Sequence, residues 1–201
     1  WYKNNFALPE YLEYMNMINC TVFNVMGNHD NDPYGNGDWE AALPYKNILA
    51  PNYYSFNLGD VHYVVLDDIE YINEGASEGV IGNRKYNGVI VEEQMEWVKK
   101  DLATIKDKNK PLVVALHIPV YSFPKLKADG TQEHTVRLDN GDELVALLKE
   151  FDNVHILSGH THVNFVIEDN ENIMEHNTAA VCATWWWTGK ENYASNHICK
   201  D

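Results

Sequence analysis

The chain has 201 residues, 45% of them hydrophobic and 22% charged, which is enough for one sizeable core and requires no second domain. Thirty Asp+Glu against fifteen Lys+Arg give a formal charge of −15, so a polyanionic nucleic-acid backbone is repelled and no basic footprint for one exists. No apolar run approaches the roughly 20 residues of a membrane span.

In chain order, Pro9 with Leu12, Met15 and Ile18 behind it predicts an amphipathic helix starting near the proline, which fits a first helical turn. Thr21 to Met26 predicts a strand that breaks at Gly27-Asn28-His29-Asp30. Residues 27 to 38 are rich in Gly, Asn, Asp and Pro and predict a loop, of a length that is often functional. Trp39 to Leu43 predicts a short helix stopped by Pro44. Tyr53 to Leu58 and Val61 to Leu66 flank Gly59-Asp60 and predict a hairpin, with Asp67 and Asp68 ending its second strand as turn or supporting groups. Residues 73 to 88 predict a loop.

Val91, Met95, Val98, Leu102 and Ile105 form a helical stripe. Leu112 to Leu116 predicts a strand ending in His117-Ile118-Pro119. Tyr121 to Val136 predicts a loop, a lid in outline. Asp142 is placed to cap a helix whose inner face carries Leu144, Leu147, Leu148 and Phe151. Val154 to Leu157 is another strand-like run, ending in Gly159-His160-Thr161-His162. A further hairpin over residues 165–175 and a last small apolar strand, Ala179 to Ala183, complete the pattern. Strands alternate with helices and hairpins are inserted, which predicts an α/β fold with mixed sheets. Cys20, Cys182 and Cys199 are an odd count at no zinc spacing. Cys20 is expected as a buried free thiol; a Cys182–Cys199 bridge is an open pairing. The chain opens at Trp1 rather than Met, so a leader or more is expected to precede it.

Three separate hydrophobic runs therefore end in Asn, Asp or His. Gly159 lets the chain turn where a side chain would clash, and His160 and His162 then stand at a strand's carboxyl end, where open α/β sheets place their sites. Neutral imidazoles on a rigid edge suit transition metals. Gly27-Asn28-His29-Asp30, His117 and Gly159-His160-Thr161-His162 together resemble the third, fourth and fifth motifs of the calcineurin-like metallophosphoesterases, in the same order and the same strand-then-ligand context, over about residues 20 to 165.

The resemblance implies a four-layer α/β/β/α sandwich of two mixed sheets. It places a phosphoesterase-like domain at residues 1–183, with 184–201 as an extension or the start of a further segment. It also implies a two-metal hydrolase of small phosphate mono- or diesters, using divalent or trivalent ions such as manganese, iron or zinc. Asn28, His117 and His160 would bind one metal and His162 the other. His29 would protonate the leaving group, with Asp30 orienting its ring. Bound cations make the acidic total compatible with a phosphate substrate.

The family's first two motifs, Asp-x-His and Gly-Asp-x-x-Asp, precede the third. Here the 26 residues before Gly27 hold no Asp and no His. Asp60-Val61-His62 spells the first motif but follows the third and sits in the hairpin; Gly37-Asp38, Gly59-Asp60 and Gly141-Asp142 read as turns or a helix cap. The chain is thus expected to be the later part of such a domain, binding at most one ion well and on its own hydrolysing phosphate esters poorly or not at all. The ending and the Trp185-Trp186-Trp187 run extend the resemblance toward secreted or periplasmic bacterial phosphoesterases; the tryptophans suit ring stacking or a domain contact. Two other readings stand beside this one. The first is a non-catalytic metal- or phosphate-binding module, or an inactive fragment of such an enzyme. The second is an unrelated α/β hydrolase, for which the Gly-x-Ser-x-Gly signature is absent. His62, His134, His155, His176 and His197 read as structural.

Overall fold

The computed structural model describes residues 4–127, 129–169 and 172–180. The runs of β-branched and aromatic residues assemble a six-stranded sheet. In spatial order its strands are β1 (Tyr54–Leu58), β2 (Val61–Val65), β5 (Leu112–Ala115), β8 (Val154–Ser158), β10 (Ile173–Asn177) and β9 (Phe165–Asp169). The four central strands run parallel, and an antiparallel hairpin partner closes each edge. Parallel pairing matters for function because it sends the ends of β2, β5 and β8 to one edge.

Alternation along the strands gives the sheet two faces of different character. Val64, Leu112, Val114, Val154, Ile156 and Ile173 are buried against Met95, Val98 and Leu102 of α3 (Glu92–Leu102) and Leu144, Val145 and Leu148 of α4 (Gly141–Leu148). The predicted stripes are the ones that pack. The cap differs: Asn140, not Asp142, is the N-cap of α4. Asp142 lies inside the first turn, where a negative charge suits the helix dipole.

The opposite face is open. Phe56, Leu58, Tyr63, Val65, Val113, Ala115 and Leu157 line a groove of about 540 Å³ there, with Thr21, Phe23 and Val25 along one wall. A second large sheet, which a four-layer sandwich requires, is not among the described residues. Thr21 to Met26 is not a strand, contrary to expectation. Its alternation still acts, through side chains: Phe23 stacks on Phe56 at 4.0 Å, and Phe56 on Tyr63 at 4.9 Å. The hydroxyls of Tyr11 and Tyr54 donate to the Asn24 side chain and carbonyl.

Other expectations need correcting. Helices α1 (Asn4–Met15) and α2 (Gly37–Ile48) run through Pro9 and Pro44 instead of starting or stopping there. Leu8, Met26, Ala42 and Tyr45 form a second, smaller core between them, and this burial overrides the local cost of each proline. Residues 73–88 are not all loop: β4 (Tyr86–Gly88) pairs with β3 (Ile69–Tyr71). The predicted lid contains a hairpin, β6 (Pro124–Leu126) with β7 (Gln132–His134). Cys20 is exposed. Ala179 and Ala180 are not in a strand. Val181 to Ala183, both remaining cysteines, the three tryptophans and His197 lie outside the described residues. His62 is structural as expected, with its ring nitrogens 2.9 Å from Asn57 Oδ1 and 2.9 Å from Asp101 Oδ2. No described helix is long and apolar enough to cross a membrane.

Candidate metal centre

β5 and β8 are in parallel register, and their last pair is Ala115–Leu157. Pairing continues one step beyond the strands: Leu116 donates to the Leu157 carbonyl, and Gly159 to the His117 carbonyl at 3.0 Å. His117 and His160 thus leave the sheet side by side. His117 Nε2 lies 3.0 Å from His160 Nδ1 and 2.8 Å from Asn28 Oδ1. Three of the predicted ligands are brought together, from three stretches of chain.

Gly27 explains how Asn28 gets so close. A Cβ at residue 27 would stand 2.9 Å from His117 Nδ1, inside van der Waals contact, so only glycine lets the 27–30 turn rest against the imidazole. Asp30 closes that turn, its carboxylate accepting the Gly27 N–H at 2.8 Å. Gly27→Ala is expected to displace His117 and lower manganese affinity at least about tenfold, in the range of lost supporting contacts at metal sites; calorimetric titration with manganese checks it.

Several further groups hold this arrangement; of them the sequence marked only Asp68, as a turn or supporting group at the end of its strand. Asp68, fully buried, accepts the backbone N–H groups of His117 and Ile118. Glu175, also fully buried, accepts those of Val120 and Tyr121, each at 2.8 Å. Asn177 ties the other loop, donating to Ser158 Oγ and the Gly159 carbonyl and accepting from Thr161 Oγ1. Held so, His160 and His162 adopt left-handed backbones, φ 61° and 57°, which are uncommon without a glycine.

Burial, reinforced by the neighbouring imidazoles, pulls His117 down to about 3. Burial also lowers His29, His160 and His162. These rings are therefore neutral at pH 7, the form that binds metal. A single proton on His117 Nε2 cannot serve both an amide oxygen and a second ring nitrogen well. One cation would satisfy all three, since donors about 2.1 Å from an ion and at right angles stand about 3 Å apart. The three donors thus fit one ion. The set is neutral: among the described residues, no three His, Cys, Asp or Glu gather closely enough to hold a metal. His162 lies near enough for its charge to act on His117 and His160.

Beside this group opens a cleft of about 250 Å³ lined by Asn28, His29, Asn31, Tyr71, Arg84 and Tyr86, with Pro33 and Asn83 at its margin. His29 faces it. Arg84, in the loop before β4, acts electrostatically on both His29 and Tyr71, and Tyr86 meets His160 edge-on at 6.3 Å between ring centres.

Residues 2–164 match the calcineurin-like phosphoesterase family. A manganese-dependent ADP-ribose/CDP-alcohol diphosphatase from Arabidopsis thaliana is 28% identical over 90 residues, 44% of this chain and 27% of that protein. A dimetal phosphatase from Danio rerio has a similar structure, with a TM-score of 0.59 at 15% identity over 88% of this chain and 66% of its own. A structure of PhoD superposes less well, at a TM-score of 0.45 and 16% identity over 65% of this chain and 29% of its own. The match spans about a quarter of the curated relative's length.

Proposed function

Because this chain belongs to the calcineurin-like phosphoesterases, we propose that it serves metal-dependent hydrolysis of small phosphate mono- or diesters. The observation that carries this is the meeting of Asn28 Oδ1, His117 Nε2 and His160 Nδ1 within 3.0 Å steps at the ends of parallel strands. In this reading those three hold one ion and His162 contributes to a second, within a catalytic domain of residues 1–183 followed by an extension, 184–201. Metal ions held there would supply positive charge against the phosphate oxygens and make water more acidic.

The chain's own groups do the rest. Asp68 and Glu175 fix the backbone of residues 117–121 through four N–H groups, so His117 presents its ring without a search. Asn177 does the same for His160. His29 lines the cleft; in this reading it binds no metal and gives a proton to the departing ester oxygen. Burial lowers its affinity for that proton in the free chain, and an arriving phosphate anion offsets the effect. Asp30 holds the turn that carries His29.

His29→Ala tests the assignment. Manganese content should stay that of wild type, since His29 is not a ligand. Turnover should fall roughly 10²–10⁴-fold on alkyl phosphates, whose leaving oxygen needs a proton, and about tenfold or less on 4-nitrophenyl esters. Loss of metal along with activity would make His29 a ligand instead. Manganese, named for the Arabidopsis relative, is the first metal to supply. A second reading, metal or phosphate binding without turnover, is favoured by the neutral donor set; it predicts manganese binding with no hydrolysis of either ester class.

A further inference from the structure

Two half-buried histidines stand on the open face of the sheet, each flanked by apolar strand neighbours. We propose that His155, His176 and Met174 form a second metal site, selective for a soft monovalent ion, copper(I). The site is separate from the Asn28 centre and does not depend on the hydrolytic reading.

The first support is placement. Val154, Ile156 and Ile173 lie in the helix-covered core, so alternation sends His155, Met174 and His176 out of the opposite face. β8 and β10 pair in parallel, with Met174 opposite His155 and His176 opposite Leu157. On the outer sides Val113 of β5 pairs with His155, and Val166 of β9 with His176. A face that only packs against apolar groups gains nothing from two imidazoles set among Val113, Leu157, Met174 and Val166, because polar groups are costly to cover without partners. His155 precedes Gly159 by four residues, roughly 13 Å along β8 at about 3.3 Å per residue. No ion here can be shared with the Asn28 centre.

The second support is geometry. His155 Nδ1 lies 3.2 Å from His176 Nε2, with ring centres 5.4 Å apart and planes within 20° of each other. Neither ring has another hydrogen-bond partner among the described residues. An ion about 2.05 Å from each nitrogen would see the two at an angle of about 100°, between a right angle and the tetrahedral one. The strand ladder sets this spacing in advance, so an ion finds its first two donors already ordered.

The third support is the third donor. At the Asn28 centre an amide oxygen, a hard donor, joins two imidazoles. Here the group in register is the thioether of Met174, one strand spacing of about 4.8 Å from His155. Oxygen donors suit manganese, whereas thioethers select Cu⁺. Imidazoles ligate as neutral groups and a thioether carries no charge, which matches a monovalent ion. The rotatable bonds of methionine let its sulfur move onto the ion once the two nitrogens hold it. Among the described residues no carboxylate or thiol completes a three-donor set with the two rings, so nothing there favours a harder, doubly charged ion.

An ion held this way would bridge β8 and β10. Those strands lead into His160 and carry Glu175 and Asn177, which fix the backbone of residues 120–121 and 159. The site is placed to stiffen the strands beneath the Asn28 centre without touching it.

The test uses the full chain with its cysteines alkylated, because free thiols bind Cu⁺ themselves. Cu⁺ is titrated without oxygen against a chromophoric chelator, with excess manganese present. Met174→Leu keeps size and apolar character. It should weaken one equivalent of Cu⁺ at least about tenfold, the lower end of what lost supporting groups cost at metal sites. His155→Phe and His176→Phe should each remove that equivalent. Zinc, which needs no thioether, should bind Met174→Leu and wild type within about threefold of each other. Manganese stoichiometry, read by calorimetry, should be the same in all four chains. Cu⁺ binding that survives all three substitutions overturns the proposal and leaves the two rings joined by a hydrogen bond. A loss in the histidine variants without one in Met174→Leu overturns the selectivity for a soft ion, and a loss of manganese in His155→Phe overturns the separation from the Asn28 centre. Thermal unfolding of metal-free Met174→Leu, expected within a few degrees of wild type, shows that a ligand and not the fold has been lost.

Discussion

Asp68→Ala should unfold well below wild type, by about 4–24 °C, and should bind manganese roughly 10- to 100-fold more weakly. Asp68 is fully buried and accepts two backbone N–H groups, from His117 and Ile118. Alanine leaves both donors buried and unpaired, at about 1–3 kcal/mol each. For a chain of this size each kcal/mol is about 2–4 °C in Tm. The same deletion frees the backbone that aims His117, which is the range seen when a supporting group at a metal site is lost. Asp68→Asn should fall between, since the amide keeps one acceptor but turns an N–H₂ toward a backbone donor. Differential scanning calorimetry and a manganese titration give the two numbers. A variant with wild-type Tm and weakened binding would mean that Asp68 touches the ion rather than the backbone.

His117→Gln should change how stability depends on pH. Unfolded, a histidine takes up a proton near pH 6.5; folded, His117 does so only at about 3. Between these values the unfolded chain holds the extra proton, so acid favours unfolding. The stability that neutral His117 provides is whole above pH 6.5 and is lost as pH falls toward 3. At pH 5 the loss is about 2 kcal/mol relative to pH 7.5. Buried carboxyls act the other way. Asp67, raised to about 6 by burial, and Asp68 and Glu175, also raised by burial, stabilise the fold at low pH and lose that contribution as pH rises through their folded values. The histidine's part is therefore read by difference. With chelator present, the fall in Tm from pH 7.5 to 5 should be smaller in His117→Gln than in wild type by about 4–8 °C. Parallel pH profiles would show that His117 is not held neutral by the fold.

The candidate donor set was legible because each of its members follows an apolar run. Val154 to Leu157 and Leu112 to Leu116 announce their strands locally, and His117 and His160 then stand where parallel strands must end. Asn28 was legible too, though the run before it is held by aromatic stacking and not by a ladder; alternation reports which side chains face the sheet, not whether the backbone is paired. Of the supporting groups, Asp68 was marked only as a turn or supporting group and Glu175 and Asn177 not at all, for a physical reason. Asp68 acts on N–H groups 49 and 50 residues away, Glu175 on groups 55 and 54 away. Backbone N–H groups leave no mark in a sequence, so nothing at residue 117 calls for a carboxylate at 68. Arg84 was hidden in a stretch read as loop, whose glycines and asparagines concealed the short β3–β4 pairing. Pro9 and Pro44 misled in the opposite direction. Their local preference was clear, but burial of Leu8, Ala42 and Tyr45 decided the helix bounds.

The left-handed backbones of His160 and His162 have a consequence for how this sequence can drift over generations. A residue with a Cβ in that conformation costs about 1–2 kcal/mol relative to its ordinary one, and glycine or asparagine relieves most of it. Each histidine is thus kept against a standing thermodynamic pull toward replacement. If the proposed reaction needs both imidazoles, selection has to hold them against that pull. Where it no longer matters, these two positions should be among the first to change, and the change should make the descendant sturdier. A relative that keeps the sheet and its buried carboxylates but carries glycine or asparagine at both positions would be a better-folded protein and a retired enzyme.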